Sequence, residues 1–302
     1  TLDVSALAFG PVGESSAAVR YRFVNTGSEP FSGGLALAVR PVQLNPIWQH
    51  GGLSPIHEAE CVLATNAAFL KVNGQARIEF ATRPTALGAA ALADGDIVDF
   101  MARGEFPDAQ KASDAEGKTG AGALDDLQVP PGGTADVVVV YRLHDKSISL
   151  SADQFDRAWA EQRAAWKQLL DKITIDVPEK RLIDVMKSNF GYVLINRDKP
   201  WFKPGSRNYN HAWTRDGALT GMAMLRMGQT RMTKEYIQAY TPFVADSGWA
   251  PHMILEDGKP VTFNTDPESG EGQEYDSQGE YVFIVRQYFD YTGDEALLRE
   301  VY

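Results

Sequence analysis

Cysteine is almost absent. The single one, Cys61, excludes an internal disulfide and any cysteine-based metal cluster. Its place among strand-like residues reads as a small buried apolar side chain. Positive charge is also scarce, with 29 Lys and Arg against 40 Asp and Glu, a net charge of −11. With no basic block, nucleic acid and anionic membrane surfaces are excluded as main partners. No apolar run approaches the ~18 residues that a membrane span needs. Histidines stand only at 50, 57, 144, 211 and 252, never at i,i+4 spacing, which argues against zinc. The acids Asp257, Asp266, Glu268 and Glu271 do not follow EF-hand spacing. No G-x-S-x-G elbow and no P-loop occur. The sequence therefore implies neither a metal nor a cofactor. The opening TLDVSALAFG has no Met and no basic signal-peptide region, and DEALLREVY stops inside a helical pattern, so both ends read as cut.

What is present divides near residue 150. A length of 302 residues suggests two domains. Before residue 150 the period is two. Val19, Tyr21 and Phe23 alternate with Arg20 and Arg22, and Leu35, Leu37 and Val39 alternate with alanines. Asn73-Gly74 between two strand-like runs predicts a hairpin, and residues 130–133, Pro-Pro-Gly-Gly, predict a turn before the run Val137 to Tyr141. Several short strands with such punctuation suggest an antiparallel β-sandwich. Residues 103–122, rich in Gly, Asp, Lys and Ala, read as a long surface loop.

After residue 150 the period becomes 3.6, with no strand pattern. Phe155 to Ile173 form one stripe, with Ser151 or Asp153 as its cap. Leu182, Val185, Met186, Phe190, Val193 and Leu194 form a second. Leu219, Met222 and Leu225 form a third, ending at Gly228, and Tyr236, Ile237, Tyr240 and Phe243 a fourth. Ser277 and Glu280 have capping-box spacing before a fifth, which Gly293 ends, and Asp294 caps the last fragment. The loop 247–275 is long enough to suggest function, and its Trp249 has little core to enter, which favours contact with a ligand.

The densest chemistry lies in residues 206–228. Tyr209, His211, Trp213, Arg215 and Asp216 fall within eight positions before an apolar helix. A carboxylate accepts from a sugar hydroxyl, a guanidinium donates to another, and an aromatic ring covers an apolar sugar face. The same residues also admit a purely structural reading, with Asp216 favouring the helix N-terminus, Arg215 beside it and Trp213 as a core anchor.

The segment HAWTRDGAL resembles the W-x-R-D segment of glucoamylase-like six-hairpin glycosidases of the (α/α)6-barrel superfamily. Residues 263–302 resemble the stretch where that family carries a D-x-x-G step into the next barrel helix. The layout is also similar, since bacterial glucoamylases and several glycoside phosphorylases join an N-terminal β-sandwich by a helical linker to such a barrel. The resemblance implies a multidomain β plus α fold. A β-sandwich would span 1–148, a helical linker 149–175, and the first hairpins of an (α/α)6 barrel 176–302. It implies that Arg215 and Asp216 hold hydroxyls of the sugar in the −1 subsite, with Trp213 supporting them. Tyr275, Asp276, Gln278 and Glu280 would lie near the site end of the next hairpin.

Inverting hydrolysis needs two carboxyl groups about 6.5–9.5 Å apart, one to protonate the leaving oxygen and one to activate water. In the resembled family both lie on later hairpins, past residue 302, so the catalytic residues are not assigned here. The expected activity is hydrolysis of a glycosidic bond with inversion. The alternatives are a glycoside phosphorylase and a non-catalytic carbohydrate-binding protein. The expected partners are an oligo- or polysaccharide and the sequence that completes the barrel, and a secreted or periplasmic setting is favoured over the cytoplasm.

Overall fold

The computed structural model describes residues 1–11, 13–43, 46, 52–206, 209–261 and 275–301. Trp48, His50, Asp266, Glu268, Glu271 and the rest of 262–274 lie outside the described residues. The chain forms two compact units, residues 1–164 and 165–302.

In the first unit the period-two runs become strands β1 (Leu2–Phe9), β2 (Ser16–Val24), β3 (Phe31–Val39), β4 (Glu58–Ala64) and β5 (Ala67–Val72). They continue as β6 (Gln75–Phe80), β7 (Ala86–Ala91), β8 (Lys111–Ser113), β9 (Thr119–Val129) and β10 (Thr134–Arg142). One sheet has the order β1-β2-β10-β6-β5-β4-β8 and the other β3-β9-β7, and every pairing is antiparallel. Asn73 and Gly74 both take positive φ, 50° and 78°, and join β5 to β6 as the dipeptide predicts. Alternate residues of the two sheets meet in one core. Leu70, Ile78, Phe80, Val137 and Val139 come from the large sheet, and Leu87, Ala121, Ala123 and Val129 from the small one.

The opposite face of the large sheet is covered too. Leu7, Ala18, Val138 and Val140 pack with Leu150 and with Phe155, the first residue of helix α2 (Phe155–Leu170). Arg20 lies on this face and is only 8% exposed. Its Nη1 donates to Asp156 Oδ1 at 2.5 Å, and its guanidinium sits 4.6 Å from the centre of the Phe155 ring. Alternation alone reads Arg20 as a solvent-facing partner of Val19. The helix that buries it lies more than 130 residues away.

Residues 103–122 are not the expected surface loop. They hold β8 and the start of β9, and Thr119 to Ala123 are buried. The small residues are there because a helix lies on them. Helix α1 (Ile97–Ala102), capped by Asp96 Oδ1 accepting from Val98 N, crosses this part of β9. A Cβ on Gly120 would come within 2.9 Å of Ile97 Cγ2.

Asp125 also lies on β9, is 4% exposed and has no partner for Oδ2. Burial, aided by the charge of Asp126, raises its pKa from 3.8 to about 6. The folded state therefore holds this proton more tightly than the unfolded chain does. Its charging costs nothing below about pH 4, destabilises progressively between about 4 and 6, and costs its full value above 6. Asp125→Asn should stabilise the protein by about 3 kcal/mol at pH 7 and leave it unchanged at pH 4. Urea unfolding at the two pH values checks this, and equal effects at both would refute the assignment.

The second unit holds the end of α2, then α3 (Lys180–Ile195), α4 (Thr214–Arg226), α5 (Thr230–Tyr240), α6 (Ser277–Thr292) and α7 (Glu295–Val301). Strands do interrupt this half, contrary to the periodicity. They are β11 (Arg197–Asp198), β12 (Trp201–Phe202), β13 (Ala212–Trp213), β14 (Met253–Ile254) and β15 (Pro260–Val261), each two residues long and too short to leave an alternating signature. Helices α4, α5 and α6 pack on one another around Met224, Leu225, Tyr236, Ile237, Tyr240, Tyr281 and Ile284.

Three helical expectations need correction. Leu219 is 60% exposed, and α4 instead buries Thr214, Gly217, Ala218 and Gly221, so its neighbours come close to its backbone. Leu182 and Val185 of α3 are also exposed, because that helix meets the core through Met186, Phe190, Val193 and Leu194. The capping box at Ser277 does not form. Asp276 precedes the helix, Ser277 is its buried first residue, and Glu280 N donates to the Asp276 carbonyl at 2.9 Å. At the other helix ends the reading holds. Ser151 and Gln154 form a capping box before α2, Gly228 and Gly293 take positive φ, and Asp294 Oδ1 accepts from Leu297 N at 3.0 Å.

Candidate functional site

The motif residues sit where β13 turns into α4. Trp213 pairs with Met253 across β13 and β14, and Thr214 N donates to the His252 carbonyl at 2.9 Å. Thr214 is the buried pin of this junction. Its hydroxyl donates to the Pro251 carbonyl at 2.6 Å and lies 2.9 Å from Tyr240 Oη, which also donates to Pro251 O. Tyr236 Oη reaches the Thr214 carbonyl at 3.4 Å, and Tyr281 Oη lies 2.7 Å from Thr241 Oγ1. Burial pushes the phenols of Tyr236 and Tyr240 well up, so they stay neutral donors. After burial and Tyr240, the charges of Glu280 and Asp216 add to the rise at Tyr236.

Above the pin stand the exposed groups. Arg215 Nη1 donates to Asp276 Oδ2 at 3.0 Å, with both side chains more than 40% exposed, so the start of α4 and the start of α6 share one rim. Asp216, in the first turn of α4, is half-buried, and no described group holds it by a hydrogen bond or ion pair. The helix N-terminus favours its charge. Trp213 lies 5.8 Å from the His252 ring, and its buried Nε1 has no partner among the described residues. His211 Nδ1 and Gln278 Nε2 are likewise buried and have no partner among the described residues. Such orphaned groups call for a ligand or water that completes them.

The remaining candidates are placed differently. Trp249 and Tyr275 form their own edge-to-face pair at 6.2 Å, with Tyr275 exposed. Tyr209 is exposed, and its backbone carbonyl accepts from Gly205 N. The sequence reading missed His252 as the ring neighbour of Trp213, tilted 46° to it, and Thr214 with Tyr240 as the buried support. A lone histidine in a loop gives no signal of this kind, and Tyr240 is legible only as part of an apolar stripe. Among the described residues no group of three or more His, Cys, Asp or Glu is arranged to hold a metal ion. No helix among them is long and apolar enough to cross a membrane.

No protein-family model and no curated protein matches the chain. Among solved structures it is similar to a bacterial glucoamylase complexed with acarbose, with a TM-score of 0.65 and 14% identity. The match covers 99% of this chain and 45% of that one, so the chain spans under half the length of the structure it matches. At this identity the likeness is one of fold, a multidomain arrangement of β sheets and helices.

Proposed function

We propose that the chain is part of a carbohydrate-active enzyme, a glycoside hydrolase acting with inversion, and that the rim at α4 is the cradle for one sugar ring. In this reading residues 1–148 are a β-sandwich, 149–175 a helical linker, and 176–302 begin an (α/α)6 barrel. The observation that carries it is the Arg215–Asp276 pair at the start of α4, with Asp216 next in sequence and, like the buried Nε1 of Trp213, without a hydrogen-bond partner among the described residues. A saccharide hydroxyl can both donate to a carboxylate and accept from a guanidinium or indole N–H, which is the complement of this set. His211 and Gln278 supply further polar contacts, and Trp249, Tyr275 and Tyr209 supply aromatic faces farther out.

The matched glucoamylase is more than twice as long as the aligned part. We assign the acid and base to sequence equivalent to its remainder, which also completes the barrel. Acarbose, the compound in that complex, is the direct probe. Titrated into the chain, it should change tryptophan emission saturably through Trp213 and Trp249. No saturable change at millimolar acarbose, in the chain and in the full-length natural protein, would remove the reading. Phosphate-dependent turnover by the full-length protein would mark a phosphorylase, and binding without turnover a non-catalytic saccharide-binding protein.

A further inference from the structure

A second polar concavity lies wholly within the first unit. It is a groove of about 480 Å³ between the segment 149–151 and the outer side of β5 and β6. Phe69 and Glu79 stand directly opposite each other across these strands and line it together. Ser149 Oγ donates to Glu79 Oε1 at 2.6 Å, which orients the carboxylate. Arg142 forms the end wall, and its Nη2 donates to the carbonyls of Asp145 and Ser147, each at 3.2 Å. The guanidinium is thereby fixed, with N–H groups to spare. Asn66 adds an exposed amide at the β4–β5 turn, and small Ala76 leaves the space open.

We propose that this groove binds a neutral saccharide of a few sugar units, as a site separate from the rim at α4. Glu79 and Arg142 are each held by neutral groups, and neither takes part in an ion pair among the described residues. One acid and one guanidinium among the lining residues leave the groove without net charge. An anionic ligand would face Glu79 and a cation would face Arg142, each at a cost. A purely apolar ligand would strand both from water. A polyhydroxylated ring meets every element: hydroxyls to the carboxylate, guanidinium and amide, and its apolar face on the Phe69 ring.

The proposal does not rest on the reading of the α4 rim, and the experiment keeps the two apart. The 302-residue chain is titrated calorimetrically with maltotriose, cellotriose and xylotriose. At least one should bind with an affinity that Phe69→Ala weakens about tenfold, equal to about 1.4 kcal/mol, and that Ala76→Trp abolishes by filling the groove. Asp216→Ala should leave the binding that depends on Phe69 and Ala76 unchanged, even where it removes heat from the rim. Circular dichroism checks that each variant folds, and if Phe69→Ala does not, Ala76→Trp decides. Binding lost in Asp216→Ala but kept in both groove variants would overturn the proposal, as would no binding of any of the three.

Discussion

Asp216→Ala should lower kcat/KM of the full-length protein by at least about 100-fold, with the unfolding midpoint nearly unchanged. The side chain has no hydrogen-bond or ion-pair partner among the described residues, so its removal breaks no such contact among them. The loss to the fold is the favourable interaction with the α4 N-terminus, about 0.3–1 kcal/mol. The loss to a bound sugar is larger. Hydrogen bonds to a charged group contribute about 1.5–3 kcal/mol each, and a carboxylate accepting from two hydroxyls exceeds the barrier change of about 2.7 kcal/mol that roughly 100-fold represents. Asp216→Asn keeps the shape and one acceptor and should fall between the two. Steady-state kinetics beside urea unfolding decide the matter. Unchanged turnover would take Asp216 out of the site, and a parallel collapse of stability would make it a structural residue.

The second large effect concerns Gly217. Alanine normally stabilises a helix over glycine by up to about 1 kcal/mol. At Gly217 the sign should reverse, with Gly217→Ala destabilising by about 3 kcal/mol through overpacking. A Cβ there would come within 2.6 Å of Tyr236 Cε2, and Tyr236 is fully enclosed by Trp201, Phe202 and Tyr240. Gly191 in α3 is the control, since a Cβ there meets nothing within 4 Å and alanine should stabilise. Urea denaturation of the two variants tests the pair, and a stabilised Gly217→Ala would mean that α4 and α5 are not this close.

The same glycine shows what was legible in the sequence and what was not. Local rules held at most places where one short segment sets its own geometry, the capping box at Ser277 being the exception. Asn73-Gly74 made its turn, Ser151 and Asp294 made their caps, and Tyr236 with Tyr240 kept their stripe. The failures share a physical cause. Gly217 and Gly221 gave no apolar signal, so the stripe through Leu219 drew attention although the helix buries its small side. Gly120 and Gly122 likewise looked like loop residues, because the helix that requires them is visible only in three dimensions. Arg20 looked solvent-facing until Phe155 covered it. At the candidate site, the W-x-R-D segment pointed to Arg215 and Asp216, and the structure adds the Arg215–Asp276 pair, which no spacing rule joins across 61 residues. The supports, Thr214, Tyr240 and His252, were hidden for the same reason.

The Thr214 pin joins the motif to partners 26 and 37 positions away. The chain must therefore complete most of this unit before Trp213, Arg215 and Asp216 acquire fixed places. An arriving molecule meets a surface whose disorder was removed during folding, and little binding energy is diverted to arranging it. Changes on the hidden side of α5 would then alter recognition through geometry alone, without touching whatever is bound.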